Sequence, residues 1–291
     1  MALGTLGADI SEQTFYLDAE CSRFQGKDIY FTKSSVGATQ QAILAAVMAQ
    51  GVTKLHNCAK EPEVFWLCRY LRSMGALIKG EETKEIMITG IRELGPGNYT
   101  VPPDRIVAGT YLCAAAATRS EITLRNVPEQ ELQAFLEVYQ KIGGQYTRKS
   151  GTLVADSKNV QHAVPYVETE EYPGFPTDLQ SLYLAAAMTL EGKSCICENV
   201  FEDRLRTAEE LQKMGGTLQI YGKWLMAEKS RLHGAEVVSQ DLRGGAALVS
   251  AALAAEGFST IRQTELIERG YERFPETLRE LGAKIIVEKE I

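Results

Sequence analysis

Four stretches of the chain are alanine-rich and apolar on every side: Thr39–Gln50, Thr110–Thr118, Asp178–Leu190 and Ala246–Ala255. A helix without a polar face has no side to turn to water, so each stretch predicts a helix buried all round. A short strand-like run follows each one, at Thr53–Asn57, Glu121–Asn126, Ser194–Asn199 and Ser259–Gln263. Amphipathic helices come next, with acidic residues near their starts. Val64, Leu67, Cys68, Leu71 and Met74 share one face of the first, and Leu132, Phe135, Leu136, Tyr139 and Ile142 share one face of the second. A glycine then ends the helix, as at a C′ position, and one or two strands such as Thr217–Ile220 and Trp224–Glu228 close the unit.

Those glycines reveal a repeat. Leu6-Gly7-Ala8, Met74-Gly75-Ala76, Ile142-Gly143-Gly144, Met214-Gly215-Gly216 and Leu281-Gly282-Ala283 recur about every 70 residues. The pattern predicts an α/β protein of four full β/α units. Met1–Ala8 precedes them as a remnant, the tail of a helix of the second type. The turn cluster Gly95-Pro96-Gly97-Asn98, followed by Pro102-Pro103, marks an expected boundary between a lobe of residues 1–94 and a lobe of residues 95–291. With one full unit, the first lobe leaves Thr39–Gln50 short of neighbours. An apolar seam is therefore expected there, open to self-association or to a complementary N-terminal chain.

The starts of the buried helices carry the candidate chemistry. They are preceded by Lys33-Ser34-Ser35-Val36-Gly37-Ala38-Thr39, Pro103-Asp104-Arg105, Phe175-Pro176-Thr177-Asp178 and Gln240-Asp241-Leu242-Arg243-Gly244-Gly245. If like helices of like units converge, their free N–H groups and aligned dipoles make a space suited to phosphate or carboxylate. Lys33, Arg105 and Arg243 add full charges. Asp178 has two readings: a helix cap that accepts from its own backbone, or a carboxylate that faces a ligand at the helix start. Glu268-Arg269-Gly270-Tyr271-Glu272-Arg273 reads either as a solvated helix start or as part of such a site.

Composition narrows the classes. A net charge of −7 argues against a nucleic-acid surface, and 45% apolar with 24% charged residues is a globular balance. No apolar run reaches membrane-spanning length, and the N-terminus lacks a secretory pattern. The cysteines at 21, 58, 68, 113, 195 and 197 have no metal-like spacing. Cys195-x-Cys197 lies in a strand-like run, which points to core packing. The three histidines are far apart in sequence, so no metal is expected. A reduced, cytoplasmic setting fits this cysteine usage.

Lys33-Ser-Ser-Val-Gly-Ala-Thr39, Pro103-Asp-Arg105, Phe175-Pro-Thr-Asp178, Val200-Phe-Glu-Asp-Arg204, Asp241-Leu-Arg243 and Arg269-Gly-Tyr-Glu-Arg273 together resemble the UDP-N-acetylglucosamine 1-carboxyvinyltransferases, of the enolpyruvyl transferase family. The resemblance runs in unbroken order from Met1 to Glu290. It implies an inside-out α/β barrel, two lobes of three β/α units with the site in the cleft between them. It also implies the first step of peptidoglycan synthesis, transfer of enolpyruvyl from phosphoenolpyruvate to the sugar 3-hydroxyl, without a cofactor. By resemblance, Lys33, Ser34, Ser35, Val36 and Gly37 contact the UDP moiety. Asp178 is the general base, the backbone at Val200 and the Arg204 segment serve the sugar, and Arg243 and Arg269 hold phosphoenolpyruvate.

The family's early Lys-Asn pair, an upstream Arg and its Cys-bearing lid loop have no counterpart here. The chain is thus expected to be the later part of such an enzyme, inactive alone. The alternatives are a non-catalytic homologue that binds a nucleotide sugar or a partner protein, and a transferase acting on shikimate 3-phosphate. The Ser-Val-Gly-Ala-Thr and Phe-Pro-Thr-Asp motifs argue against the last. Smaller departures are Glu268 for Asp, Thr264-Glu265-Leu266 for a more aromatic stretch, Val107 for an acid, and Gly244-Gly245 for Ala-Ser, which is expected to loosen a helix start.

Overall fold

The structure, a computed structural model, describes residues 2–288, the side chains of Glu202 and Asp203 excepted. These residues form two compact units: one runs up to Pro102 and includes Glu171–Pro173, the other comprises Pro103–Glu170 and Gly174 onward. The division falls past the boundary expected at 94/95. The intervening segment stays with the first unit at its start, where Gly95 N donates to Met74 O at 2.8 Å.

In the first unit, α1 (Ala2–Thr5) leads into the antiparallel pair β1 (Asp9–Glu12) and β2 (Leu17–Glu20). Then come β3 (Asp28–Tyr30), α2 (Val36–Ala46), β4 (Val52–His56), α3 (Pro62–Ser73), β5 (Leu77–Lys79) and β6 (Glu85–Thr89), with sheet order β3-β4-β6-β5. β3 and β4 are parallel across the buried-type helix, and β5 and β6 return as an antiparallel hairpin.

The second unit repeats this scheme with variations. α4 (Arg105–Thr118), β7 (Glu121–Arg125), α5 (Gln133–Lys141), β8 (Gln145–Lys149) and β9 (Thr152–Asp156) form a sheet of order β7-β9-β8. No parallel strand precedes α4; Pro102-Pro103 stands there, and proline donates nothing to a ladder. β10 (Tyr166–Glu168), α6 (Gln180–Ala187), β11 (Lys193–Cys197), α7 (Arg206–Lys213), β12 (Thr217–Tyr221) and β13 (Trp224–Glu228) reproduce the first unit's topology in full, order β10-β11-β13-β12. Last come β14 (Glu236–Val238), α8 (Leu242–Ala254), β15 (Thr260–Arg262), α9 (Glu265–Glu268) and α10 (Phe274–Glu280), with β14 and β15 parallel. Among the described residues no strand follows α10, so this last unit is not closed by the strands the repeat predicts.

The repeat glycines explain the shared exits. Gly7, Gly75, Gly143, Gly215 and Gly282 all have φ between 89° and 109°, a region that admits glycine readily and ends a helix. Each follows the second-type helix at the same point of its unit.

The core of the second unit is the mutual packing of α4, α6 and α8. Their alanines (Ala114 to Ala117, Ala185 to Ala187, Ala246, Ala247 and Ala251) are buried and let the three backbones approach. α2, of the same composition, is not buried all round and shows the open apolar seam expected of a helix short of neighbours. It packs on α1, α3, β4 and β6, while Leu44 and Met48 remain 51% and 47% exposed. No second helix of its kind lies on that face within its unit. No helix among the described residues is long and apolar enough to cross a membrane.

The cysteines are mostly packing residues. Burial pushes the Cys58 thiol up to about 11 and Cys68 up to about 12, and raises Cys113 as well. A folded pKa above the unfolded value stabilises the fold while the thiol is protonated. That contribution is present below about pH 8.5 and is lost as pH rises through 11 to 12. Urea midpoints are therefore expected to be level from pH 7 to about 8.5 and to fall above it. A thiol reagent at about pH 8 should label exposed Cys21 at once and Cys58, Cys68 and Cys113 only on unfolding. Immediate labelling of those three in the folded chain would contradict the burial.

Candidate active site at three helix starts

Three of the buried helices begin with an aspartate, and the three aspartates do different work. Asp104 caps α4: its Oδ1 accepts from Ile106 N at 2.6 Å and Val107 N at 3.2 Å. Asp241 caps α8, accepting at Oδ1 from Arg243 N and Gly244 N, both at 2.9 Å. Asp178 makes no such bond. It lies in the 3-10 turn Thr177–Leu179 that leads into α6, entered from extended Pro176, and neither that turn nor α6 has a side-chain cap. The geometry thus removes the capping reading of Asp178.

Two arginines occupy its carboxylate instead. Arg204 Nη2 donates to Asp178 Oδ1, while Arg204 Nη1 lies 3.6 Å from Asp241 Oδ1. Arg243 reaches from the first turn of α8 between the other two helix starts. Its Nε is 3.5 Å from Asp178 Oδ2, and its Nη2 is 3.9 Å from Asp104 Oδ2. These contacts bring the starts of α4, α6 and α8 to one place.

Both guanidiniums keep donors in reserve. Nε of Arg204 and Nε and Nη1 of Arg243 are buried without a hydrogen-bond partner. A buried donor left unpaired is costly, and it marks where an anion's oxygens would be welcome. Burial pulls the Arg243 guanidinium down, but Tyr271, Asp178 and Asp104 outweigh it and hold the pKa above the ordinary value. Arg243 is a fixed cation.

An aromatic floor sets its position. The Arg243 guanidinium lies 5.3 Å over the ring of Tyr271, itself buried. The Thr110 hydroxyl donates to Ile106 O, so at 2.8 Å the Tyr271 hydroxyl donates to Thr110 Oγ1. α4 thereby holds the ring that carries the arginine of α8. Arg204 sits 5.3 Å over Phe201 in the same manner. Tyr271 and Thr110 carry little signal in the sequence. The one signal was a tyrosine inside the Arg269–Arg273 motif.

Gly244 and Gly245 stand where neighbouring side chains come close to the start of α8. A Cβ at Gly244 would meet Thr207 Oγ1 at 2.2 Å, and one at Gly245 would meet Ser239 Oγ at 2.3 Å. They admit close neighbours to a helix start that Asp241 already caps.

The other candidates take no part in these ion pairs. Arg269 is exposed just past α9. The Val200 N–H is taken by Glu198 Oε1 at 2.9 Å. In the first unit, Lys33 and Ser34 precede α2, Ser35 caps it by accepting from Ala38 N at 3.3 Å, and Val36 and Gly37 open its first turn. A cavity of about 770 Å³ lies at the opposite ends of α4, α6 and α8. Its cations are already engaged, Arg119 with the carbonyls of Ala116 and Thr189, Lys229 with Glu191 and Arg231 with Glu256.

Residues 1–278 match the family model described as EPSP synthase (3-phosphoshikimate 1-carboxyvinyltransferase). The chain is 39% identical over 285 residues to UDP-N-acetylglucosamine 1-carboxyvinyltransferase 2 of Caldanaerobacter subterraneus subsp. tengcongensis, covering 98% of this chain and 68% of that protein. It is 42% identical over 282 residues to UDP-N-acetylglucosamine 1-carboxyvinyltransferase 1 of the same organism, covering 97% and 68%. Among solved structures it is similar to the enolpyruvyl transferase NikO from Streptomyces tendae, with a TM-score of 0.86, 24% identity, and coverage of 97% of this chain and 70% of that one. An EPSP synthase from Acinetobacter baumannii gives a TM-score of 0.71 at 21% identity, covering 99% and 70%.

Proposed function

Because the chain belongs to the enolpyruvyl transferase family, with its inside-out α/β fold of repeated units, we propose that it serves the transfer of enolpyruvyl from phosphoenolpyruvate to the 3-hydroxyl of UDP-N-acetylglucosamine. The observation that carries this reading is the carboxylate of Asp178, uncapped and set against two arginines with spare donors.

In the proposed reaction the sugar oxygen bonds to C2 of phosphoenolpyruvate, and the bond from C2 to the phosphate oxygen breaks. The hydroxyl must lose its proton, and Asp178 accepts it. Arg243, with Arg269, balances the phosphate and carboxylate of phosphoenolpyruvate, where their charge is greatest. An arriving anion competes with Asp178 for the guanidiniums of Arg204 and Arg243, which frees the carboxylate when a substrate is present. Lys33, Ser34, Val36 and Gly37 are proposed contacts of the UDP moiety, and Ser35 serves them by fixing the start of α2. On this reading the chain works in peptidoglycan synthesis in the cytoplasm.

The choice of acceptor rests on the relatives of 39% and 42% identity, both named for UDP-N-acetylglucosamine. The matched family model is named for a shikimate phosphate, which gives a direct contest. In calorimetric titrations of the chain, UDP-N-acetylglucosamine is expected to bind and shikimate 3-phosphate to give no saturable heat. The reverse order of affinity would overturn the proposed acceptor.

A further inference from the structure

Glu198, just past β11, is 1% exposed, and its carboxylate is held in an unequal way. Four donors converge on one oxygen. Oε1 accepts from Thr169 Oγ1 at 2.7 Å, Thr177 Oγ1 at 3.0 Å, Val200 N at 2.9 Å and Phe201 N at 2.9 Å. Oε2 is buried and has no partner. Thr169 is tied in from its other side, accepting from Asn199 N at 2.9 Å.

A carboxylate is an expensive group to bury, and capping the turn at Val200 does not require it. An Asn, Ser or Asp at the surface caps such a turn as well. What the buried oxygen adds is a joint between two loops. One is the entry to α6, where Thr177 is the immediate neighbour of Asp178. The other is the turn after β11.

The joint also sets a direction. The Phe201 N–H points into Glu198, and a trans peptide places the preceding carbonyl on the opposite side. The Val200 C=O is thereby aimed away from Glu198. Val200 itself is 43% exposed, so that carbonyl belongs to an open turn. It can accept a hydroxyl or amide proton but cannot attract an anion.

We propose that Glu198 is a positioning residue: through one buried oxygen it sets both Asp178 and the Val200 carbonyl, and so governs how the sugar of a nucleotide sugar is told from its absence. This rests on the reading of the site as a nucleotide-sugar site. Glu198 does not touch the ligand. It fixes the two groups that meet the neutral, hydroxyl-bearing end of it.

The test compares UDP with UDP-N-acetylglucosamine by calorimetry on the wild-type chain and on Glu198→Ala, Glu198→Gln and Thr177→Val. Wild type is expected to favour the sugar-bearing ligand by about tenfold or more. Glu198→Ala is expected to bring that ratio close to one, with UDP affinity unchanged within about twofold. Glu198→Gln keeps an acceptor oxygen and should restore part of the ratio. Thr177→Val deletes a single donor without changing side-chain shape, so it keeps the test open should Glu198→Ala not fold; it should lower the ratio severalfold. An unchanged ratio in a folded variant overturns the proposal. So does an equal loss for both ligands, the mark of a merely structural role. A wild-type chain that binds neither ligand refutes the nucleotide-sugar reading itself and this inference with it, and that failure shows in the wild-type arm alone.

Discussion

Arg243→Ala is expected to weaken phosphoenolpyruvate binding about 10- to 100-fold, measured calorimetrically with UDP-N-acetylglucosamine present. A hydrogen bond to a charged group contributes about 1.5–3 kcal/mol, and each 1.4 kcal/mol is a factor of about ten. The loss should be large because Arg243 is the arginine that faces both the α4 and the α6 starts. Its Nε and Nη1 have no hydrogen-bond partner and are already buried and in place over Tyr271, so the wild type spends little entropy on ordering them. Arg243→Lys should recover only part of the affinity, since an ammonium carries the charge without the planar fork. Stability is a separate readout. Asp178 keeps its bond to Arg204, and the cap from Asp241 to α8 uses backbone donors that the substitution leaves intact. An unchanged affinity would remove Arg243 from the proposed chemistry.

Leu182→Ala should cost about 2–5 kcal/mol of stability, read as a lowered urea midpoint. Leu182 is wholly buried on α6, inside the packing of that helix with α4 and α8. A cavity there has few ways to collapse, because α6 is buried along its whole length and in close contact with α4 and α8. Leu44→Ala makes the contrast. That leucine sits on α2, of like composition, but is 51% exposed, and its loss should fall within about 0.5 kcal/mol. Equal losses at the two positions would mean that α2 is buried in solution by something outside its own unit. Loosening the core helices should also blur the site, since α4 carries Asp104 and α8 carries Arg243, the two ends of one ion pair.

Much of this arrangement was legible in the residues because it depends on local chemistry. The buried helices advertise themselves by lacking any polar face, and four of them lie within a few residues of their expected bounds. The glycine at each helix end was readable because the left-handed backbone there has few other tenants. The helix starts were readable as a group, but their division of labour was not. Asp104, Asp178 and Asp241 are alike in sequence, and what separates Asp178 from the two caps is a 3-10 turn and the reach of Arg204 from a distant segment. Glu198 gave no signal, since an acid beside a strand normally faces water. Two of its four donors are local, but Thr169 and Thr177 reach it only through the long-range pairing that sets β10 beside β11. The exposure of α2 was legible from the count of units and not from composition, which reports what a helix tolerates and not which neighbours its own unit supplies.

The most direct measurement is a crystal structure of the chain with UDP-N-acetylglucosamine bound. The expected result is the sugar at the starts of α4, α6 and α8, with its 3-hydroxyl about 2.6–3.2 Å from a carboxylate oxygen of Asp178. A ligand bound elsewhere, or a hydroxyl out of reach while Asp178 stays paired with both arginines, would contradict the assignment of Asp178 as the base.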